Sequence, residues 1–342
     1  MKVAVDAMGG DHAPETVVEG AVLAARAHGV PVVLVGDAPR LEECLAAQKT
    51  RGLSLEVHHA SDAIAMDEHG AKAIRRKKDS SLRVCFDLAK RGEVSAVVSA
   101  GNSGAVMAGA LLILGRLEGV DRPAIASAMP TTAGGRVLLL DAGANPEAKP
   151  LHLAQWALCG EAYARRILGI ARPKVALLSN GEEESKGTTL TRAAYGLLAQ
   201  SGVEFVGYLE GRDIFAGRCD VLVTDGFTGN VVLKTVEGAA SGMAMILKEE
   251  IEATRAARVG YLLLRGALKR FQRRLDYAEY GGAPILGVDG TAIVAHGASN
   301  ATAIKNAVRV ARDLAREDLG GALSDAARRA SELSGAQTNN DD

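Results

Sequence analysis

The sequence predicts an α/β fold in which a largely parallel sheet is covered by helices on both faces. Three observations carry this reading. Short β-branched runs alternate with segments of helical period, most of those runs are apolar on both faces, and turns rich in Gly, Asn and Asp follow them. With 342 residues, 48% of them hydrophobic, the chain can bury a large core, read as one α/β domain over 1–335 and a disordered tail over 336–342.

The first strand is Lys2–Asp6, which ends in the turn Asp6-Ala-Met-Gly-Gly-Asp-His-Ala-Pro14. Pro14 and Glu15 then open a helix that runs to His28: proline is preorganised for a first turn, and an acid suits the positive helix start. Pro31–Val35 and Ser95–Ser99 are the next strands, the second followed by Ser99-Ala-Gly-Asn-Ser-Gly104. Ala124–Met129 and Arg136–Asp141 follow, and the latter leads into Asp141-Ala-Gly-Ala-Asn145. Pro150–Leu168 and Thr188–Ala199 have helical spacing and flank the strand Lys174–Ser179. Val203–Val206 and Asp220–Thr224 are the last strands read, and Thr224-Asp-Gly-Phe-Thr-Gly-Asn230 closes the series.

From Val231 to about Leu275 the rhythm stops, which predicts two long helices protruding as a hairpin arm over 231–275. Arg255–Arg274 holds Arg255, Arg258, Arg265, Lys269, Arg270, Arg273 and Arg274 and no acidic residue. Leu264, Leu268, Phe271 and Leu275 share one face, with Val259, Leu262 and Leu263 as added apolar bulk. Such a helix suits an anionic membrane or an acidic partner, and a dimer-forming arm with a solvated basic face is the plainer alternative.

Composition removes several function classes. A net charge of −1 and 4% aromatic residues argue against nucleic acid as a partner. Cys44, Cys85, Cys159 and Cys219 show no CxxC pairing and read as reduced thiols of a cytoplasmic protein. The N-terminus lacks the apolar region of a signal peptide, and the longest apolar stretch, around Ala105–Leu114, is short of a membrane span. In Gly181-Glu-Glu-Glu-Ser-Lys-Gly-Thr188 the Lys and Gly are transposed relative to GxxxxGK[ST], and GxSxG, HExxH and GxGxxG are missing.

A phosphate-type site remains. Gly9, Gly10, Gly101, Gly104, Gly143, Gly226 and Gly229 let backbone approach an anion at helix starts, although glycines end strands in any α/β protein. Lys186 can neutralise phosphate or a developing oxyanion, unless it merely pairs with Glu182, Glu183 or Glu184. Asn230 can donate to an oxyanion, unless it is a helix cap. His12 and His296 are candidate acids or phosphate donors. Asp6, Asp11, Asp141 and Asp225 can bind metal or accept turn hydrogen bonds, and no metal site is predicted.

Six segments together resemble a known family. Val5-Asp-Ala-Met-Gly-Gly-Asp-His-Ala-Pro14, Ser99-Ala-Gly-Asn-Ser-Gly-Ala105, Leu140-Asp-Ala-Gly-Ala-Asn145 with Lys149-Pro150, Gly181-Glu-Glu-Glu-Ser-Lys-Gly187, Val223-Thr-Asp-Gly-Phe-Thr-Gly-Asn-Val231 and Gly281-Gly-Ala-Pro-Ile-Leu-Gly287 look like the bacterial acyl-acyl-carrier-protein:phosphate acyltransferases of phospholipid synthesis. The likeness runs from residue 1 to about 315, with Ser103 where the family pattern has Thr, so the hydroxyl is kept.

The resemblance implies a homodimeric fold of the phosphotransacetylase and isocitrate dehydrogenase type. It implies transfer of a fatty acyl group from acyl carrier protein to inorganic phosphate, with no cofactor. Lys186 and Asn230 match the family's catalytic Lys and Asn. Asp6, Gly9, Gly10, Asp11, His12, Ser99, Asn102, Ser103, Asp141, Asn145, Asn180, Asp225, Gly229 and His296 then become substrate-binding candidates. Arg258, Val259, Leu262, Leu263, Arg265 and Lys269 become candidates for contact with the carrier protein or a membrane surface, where the downstream glycerol-3-phosphate acyltransferase works. The expected protein is cytoplasmic and peripherally membrane-associated. A coenzyme A-dependent phosphotransacetylase of small acyl groups, or a membrane-bound scaffold for lipid-synthesis enzymes, are the other classes compatible with these residues.

Overall fold

The computed structural model describes residues 1–275, 281–317 and 319–338. β1 (Val3–Asp6) leads through α1 (Glu15–His28) to β2 (Val32–Gly36), and α2 (Ala38–Ala46) leads to β3 (Leu55–His59). Two short helices, α3 (Gly70–Arg76) and α4 (Ser81–Lys90), precede β4 (Ala96–Ser99), whose turn opens α5 (Ser103–Gly109). The run read as one strand over Ala124–Met129 is broken at Ala126 into β5 (Ala124–Ile125) and β6 (Ser127–Pro130), because the first piece pairs in one sheet with the segment at 285–286 and the second in another with the segment at 136–139. β7 (Arg136–Leu140), α6 (Pro150–Arg166), β8 (Lys174–Leu178), α7 (Thr189–Ala199), β9 (Glu204–Leu209) and β10 (Val221–Val223) follow in the expected order. After α8 (Gly226–Ala253) and α9 (Arg255–Leu275), the chain ends with β11 (Ala283–Leu286), β12 (Ala292–Val294), α10 (Ala301–Arg316) and α11 (Leu319–Thr338).

The strands divide between two sheets, ordered β3-β2-β1-β4-β12-β11-β5 and β6-β7-β10-β8-β9. All neighbours are parallel except those of β11 and β6. Side chains alternate across the first sheet: Val3 and Val5 pack with Val18 of α1 and Ile304 and Val308 of α10, while Ala4 packs on the opposite face with Ile74 and Phe86. This is why the central strands are apolar on both faces. Met129, Leu139, Ala176 and Leu222 form a third cluster on one face of the second sheet.

Parallel strands bring their carboxyl ends to one edge. The turns after β1, β4 and β12 therefore gather on the first sheet, and those after β7, β8 and β10 on the second.

The arm forms as the sequence predicts, with α8 starting at Gly226. Thr254 turns the hairpin in extended backbone, and its Oγ1 accepts from Ala257 N at 3.1 Å. α11 continues through Thr338, three residues into the stretch read as a tail, since Ala336 and Gln337 are good helix formers. The rest of that tail, 339–342, lies outside the described residues.

Candidate active site

Asp6 ends β1 and is buried, accepting from Ser81 Oγ and Ser99 Oγ at 2.6 Å each. Burial pushes its carboxyl above the ordinary value, against the pull of those two hydroxyl donors. Ser99 Oγ in turn accepts from Gly101 N at 3.0 Å, and a side chain at Gly9 would strike Asp6 Oδ2 and Ser99 Oγ. This network ties the first two turns together beneath the surface. Gly10 takes φ +116° against Gly297 O, and Asp11 N donates to the same carbonyl at 2.8 Å, so the β1 and β12 turns are joined too. Asp11 and His12 face outward. Asn102 caps α5 through Ala105 N, and its Nδ2 donates to Met66 O at 3.0 Å and Glu68 O at 2.7 Å.

Asp141 is fully buried at the end of β7. Its Oδ1 accepts from the N–H groups of Ile125, Gly143 and Ala144, and its Oδ2 from Asn145 N and Asn145 Nδ2, over 2.7–3.2 Å. Asn145 Nδ2 also reaches Pro123 O at 2.8 Å. The pair thus shapes a loop whose backbone amides point inward. Asp225 caps α8, accepting from Thr228 N at 2.9 Å and Thr228 Oγ1 at 2.7 Å. The cap position is therefore filled, and Asn230 stands exposed in the second turn beside Gly143, whose φ is +136°. Gly226 and Gly229 let α8 rest on this loop: Gly226 N donates to Asn145 O at 2.8 Å, and a carbon on Gly229 would overlap Asp141 O.

Lys186 lies on the turn after β8. Asn180 Oδ1 accepts from Gly187 N at 3.0 Å, and the Lys186 stem crosses Gly181 so closely that a Cβ there would lie 2.8 Å from its Cγ. Two of its three acidic neighbours are engaged elsewhere. Glu182 takes a two-pronged bond from Arg218 at 2.6 and 3.0 Å, and Glu184 accepts from Tyr195 Oη at 3.0 Å. Among the described residues no carboxylate lies within 4.0 Å of Lys186 Nζ, so the surface-pair alternative does not hold.

A cavity of about 2120 Å³ separates the arm from the strand ends. Its polar end, where α8 leaves the sheet, is formed by Ser103, Gly143, Asn230, Lys234, Glu237, His296 and Ser299. Its remainder is largely apolar, from Met129 on the sheet through Leu233, Met243 and Leu247 on α8 to Leu262, Leu268 and Phe271 on α9, with Lys248, Glu252 and Arg258 towards the hairpin turn. His296 Nδ1 accepts from Ala298 N at 3.1 Å, and its Nε2 lies 3.1 Å from Lys234 Nζ; Lys234 pairs with Glu237 at 2.9 Å.

Of the candidates read from sequence, Ser103, Asn230 and His296 meet on this cavity; Lys186 and Asn180 stand on the neighbouring strand turn, outside its described walls. Lys234 and Glu237 were not singled out, though their spacing from Asn230 puts all three on one helix face. On the arm, Leu262 faces the cavity, and Arg258 donates to Glu252 O at 2.6 Å. Val259 (61% exposed) and Leu263 (85%) lie outside the cavity walls, and Arg265 and Lys269 are exposed as well. No helix among the described residues is long and apolar enough to cross a membrane.

Two joined sheets with the turns after β4, β7 and β12 and the start of α8 at one cavity form an α/β protein with the fold of the phosphotransacetylases. A phosphotransacetylase from Streptococcus pyogenes shares this fold with a TM-score of 0.59 at 17% identity, over 93% of this chain and 94% of that one. A branched-chain phosphotransacylase from Enterococcus faecalis V583 does so with a TM-score of 0.56 at 15% identity, over 93% and 100%. Sequence comparison is more specific. The family model described as "Fatty acid synthesis protein" matches residues 1–320. A phosphate acyltransferase from Myxococcus xanthus is 57% identical over 319 residues, covering 92% of this chain and 90% of the relative. One from Geobacter sulfurreducens is 52% identical over 325 residues, covering 95% and 94%. The chain belongs to the phosphate acyltransferase family, and it is an acyltransferase.

Proposed function

We propose that the protein moves a long-chain fatty acyl group from the thioester of acyl carrier protein to inorganic phosphate, giving acyl phosphate for phospholipid synthesis. The observation that carries this reading is a single cavity with Asn230 at its polar end and a long apolar wall on the arm. At about 2120 Å³ it exceeds the roughly 300–1,000 Å³ of ordinary ligand pockets, which suits a fatty chain together with the linker that delivers it.

The chemistry asks mainly for placement and charge. A phosphate oxygen adds to the thioester carbon, the C–S bond breaks, and the proton of hydrogen phosphate passes to the departing thiol. No covalent acyl-enzyme is required. Asn230 Nδ2 donates to the acyl carbonyl as it becomes an oxyanion, and Lys186 brings its charge from the adjoining strand turn. The asparagine and histidine turns at Asn180 and His296 complete the phosphate side. Arg265 and Lys269 meet the acidic carrier protein, and Val259 and Leu263 rest on a membrane surface, near the downstream glycerol-3-phosphate acyltransferase. The working unit is a homodimer in which residues 1–335 of each chain act as one domain.

The test is mass-spectrometric detection of acyl phosphate after mixing the protein with palmitoyl-acyl carrier protein and phosphate, beside a phosphate-free control. Phosphate-dependent product is expected. Product from acetyl-coenzyme A and none from the acyl carrier protein would overturn the donor assignment.

A further inference from the structure

We infer that the attacking phosphate is held at the foot of the arm by Lys234, His296 and Ser299, over the amino end of α10; this rests on the phosphate-acceptor reading above. Among the described residues lining the Asn230 cavity, the basic side chains are Lys234, His296, Lys248 and Arg258. Lys248 lies about 27 Å along α8 from Asn230, and Arg258 lies beyond the hairpin turn with its guanidinium on Glu252 O. Lys234 is one helical turn, about 6 Å, from Asn230 and on the same face.

The other groups converge on the same point. Because Ala298 N donates to His296 Nδ1, the neutral ring carries its proton on Nε2, the atom that lies 3.1 Å from Lys234 Nζ. Two donors therefore face one small volume. Ser299, in the same turn, is 4% exposed, and its Oγ has no hydrogen-bond partner among the described residues. A buried hydroxyl without a partner is unfavourable, and a phosphate oxygen would supply the missing bond. Ser299 and Ala303 put the start of α10 on the same wall; its Asn300 cap takes the Ala303 N–H at 2.9 Å, but that cap is neutral and the first turn has no acidic residue, so the positive helix end keeps its attraction for an anion.

Glu237 Oε2 now holds the position between these two side chains, 2.9 Å from Lys234 and 3.7 Å from His296. It is the internal anion that phosphate must displace, so Glu237 and phosphate compete for Lys234.

The experiment measures KM for phosphate and for palmitoyl-acyl carrier protein, with the melting temperature, for the wild type, Lys234→Met, Lys234→Arg, Ser299→Ala and Glu237→Gln. Loss of the Lys234 charge should raise the phosphate KM about tenfold or more and leave the acyl-donor KM unchanged, with Lys234→Arg recovering part of the effect. Ser299→Ala should raise the phosphate KM without lowering the melting temperature, because it removes an unpartnered hydroxyl. Glu237→Gln should lower the phosphate KM. Unchanged phosphate KM in Lys234→Met and Ser299→Ala, or a rise in Glu237→Gln matching that of Lys234→Met, would overturn the site while the function stands. A wild type that forms no acyl phosphate would overturn the functional reading and this site with it.

Discussion

The α-carbon of Gly229 faces the carbonyl oxygen of Asp141 so closely that any side chain there would overlap it. The first turn of α8 thus rests on the loop after β7, and Asn230, the next residue, takes its position from that contact. Gly229→Ala must push α8 off the loop, since a backbone carbonyl in a fully bonded turn cannot yield. The expected outcome is a loss of about 1–3 kcal/mol in stability and, for a shift near 1 Å, about 10²-fold in kcat, checked by thermal unfolding and steady-state kinetics.

Asp141 and Asp225 should answer differently to the same chemical change. Asp141 accepts five N–H bonds with both oxygens, so Asp141→Asn turns an acceptor into a donor that faces donors. It should lower stability by about 1–3 kcal/mol in denaturant unfolding. Asp225→Asn keeps a competent helix cap and should be nearly neutral.

Lys186→Ala separates chemistry from folding. The side chain is exposed and makes no ion pair among the described residues, so the melting temperature should stay close to that of the wild type. If Lys186 supplies oxyanion charge, kcat should fall about 10²–10³-fold, and full activity in this variant would remove Lys186 from the mechanism.

Leu262 and Leu263 are adjacent on α9, about 100° apart round the helix; Leu262 lines the cavity while staying 67% exposed, and Leu263 lies outside its walls at 85%. Leu263→Glu should abolish binding to anionic liposomes and leave turnover of soluble acyl donor intact. Leu262→Glu should instead raise the acyl-donor KM. Equal liposome binding by Leu263→Glu and the wild type would rule out this membrane contact.

Acid should loosen the fold through His152. Burial holds its ring below the ordinary histidine value, against the pull of Asp121, and its Nδ1 accepts from Lys149 N at 3.1 Å. A depressed value in the fold means stability that is present above the unfolded value of about 6.5 and lost as pH falls through the lower folded one. His152→Gln keeps an acceptor for Lys149 N and should lose less melting temperature than the wild type between about pH 7 and 5. His28, also held low by burial, leaves a residual slope.

The strands β1, β4, β7, β8 and β10 were legible because each is covered on both faces and so apolar on both, with polar residues only at strand ends. β3 was not, since Leu55-Glu-Val-His-His59 is an edge strand with its polar side chains in solvent. β11 and β12 are runs of four and three residues between glycines, too short to show a period. Lys186 and Asn230 stood out as polar residues in turns. Lys234 did not, because a lysine inside a helix looks like any solvated one until the turn after β12 brings His296 beside it. Nor can sequence tell whether an aspartate in a glycine turn meets substrate or backbone amides, and Asp6 and Asp141 met hydroxyls and amides of their own chain.

One border serves both sheets. β5 is the outermost strand of the first sheet and β6 the outermost strand of the second, and they are consecutive pieces of the run 124–130. The chain then returns to the first sheet with β11 and β12 after completing the second. No single cut therefore separates the two sheets: freeing the second takes one break within 124–130 and another before β11, so gene fusion or fission within this architecture has no one seam at which to act.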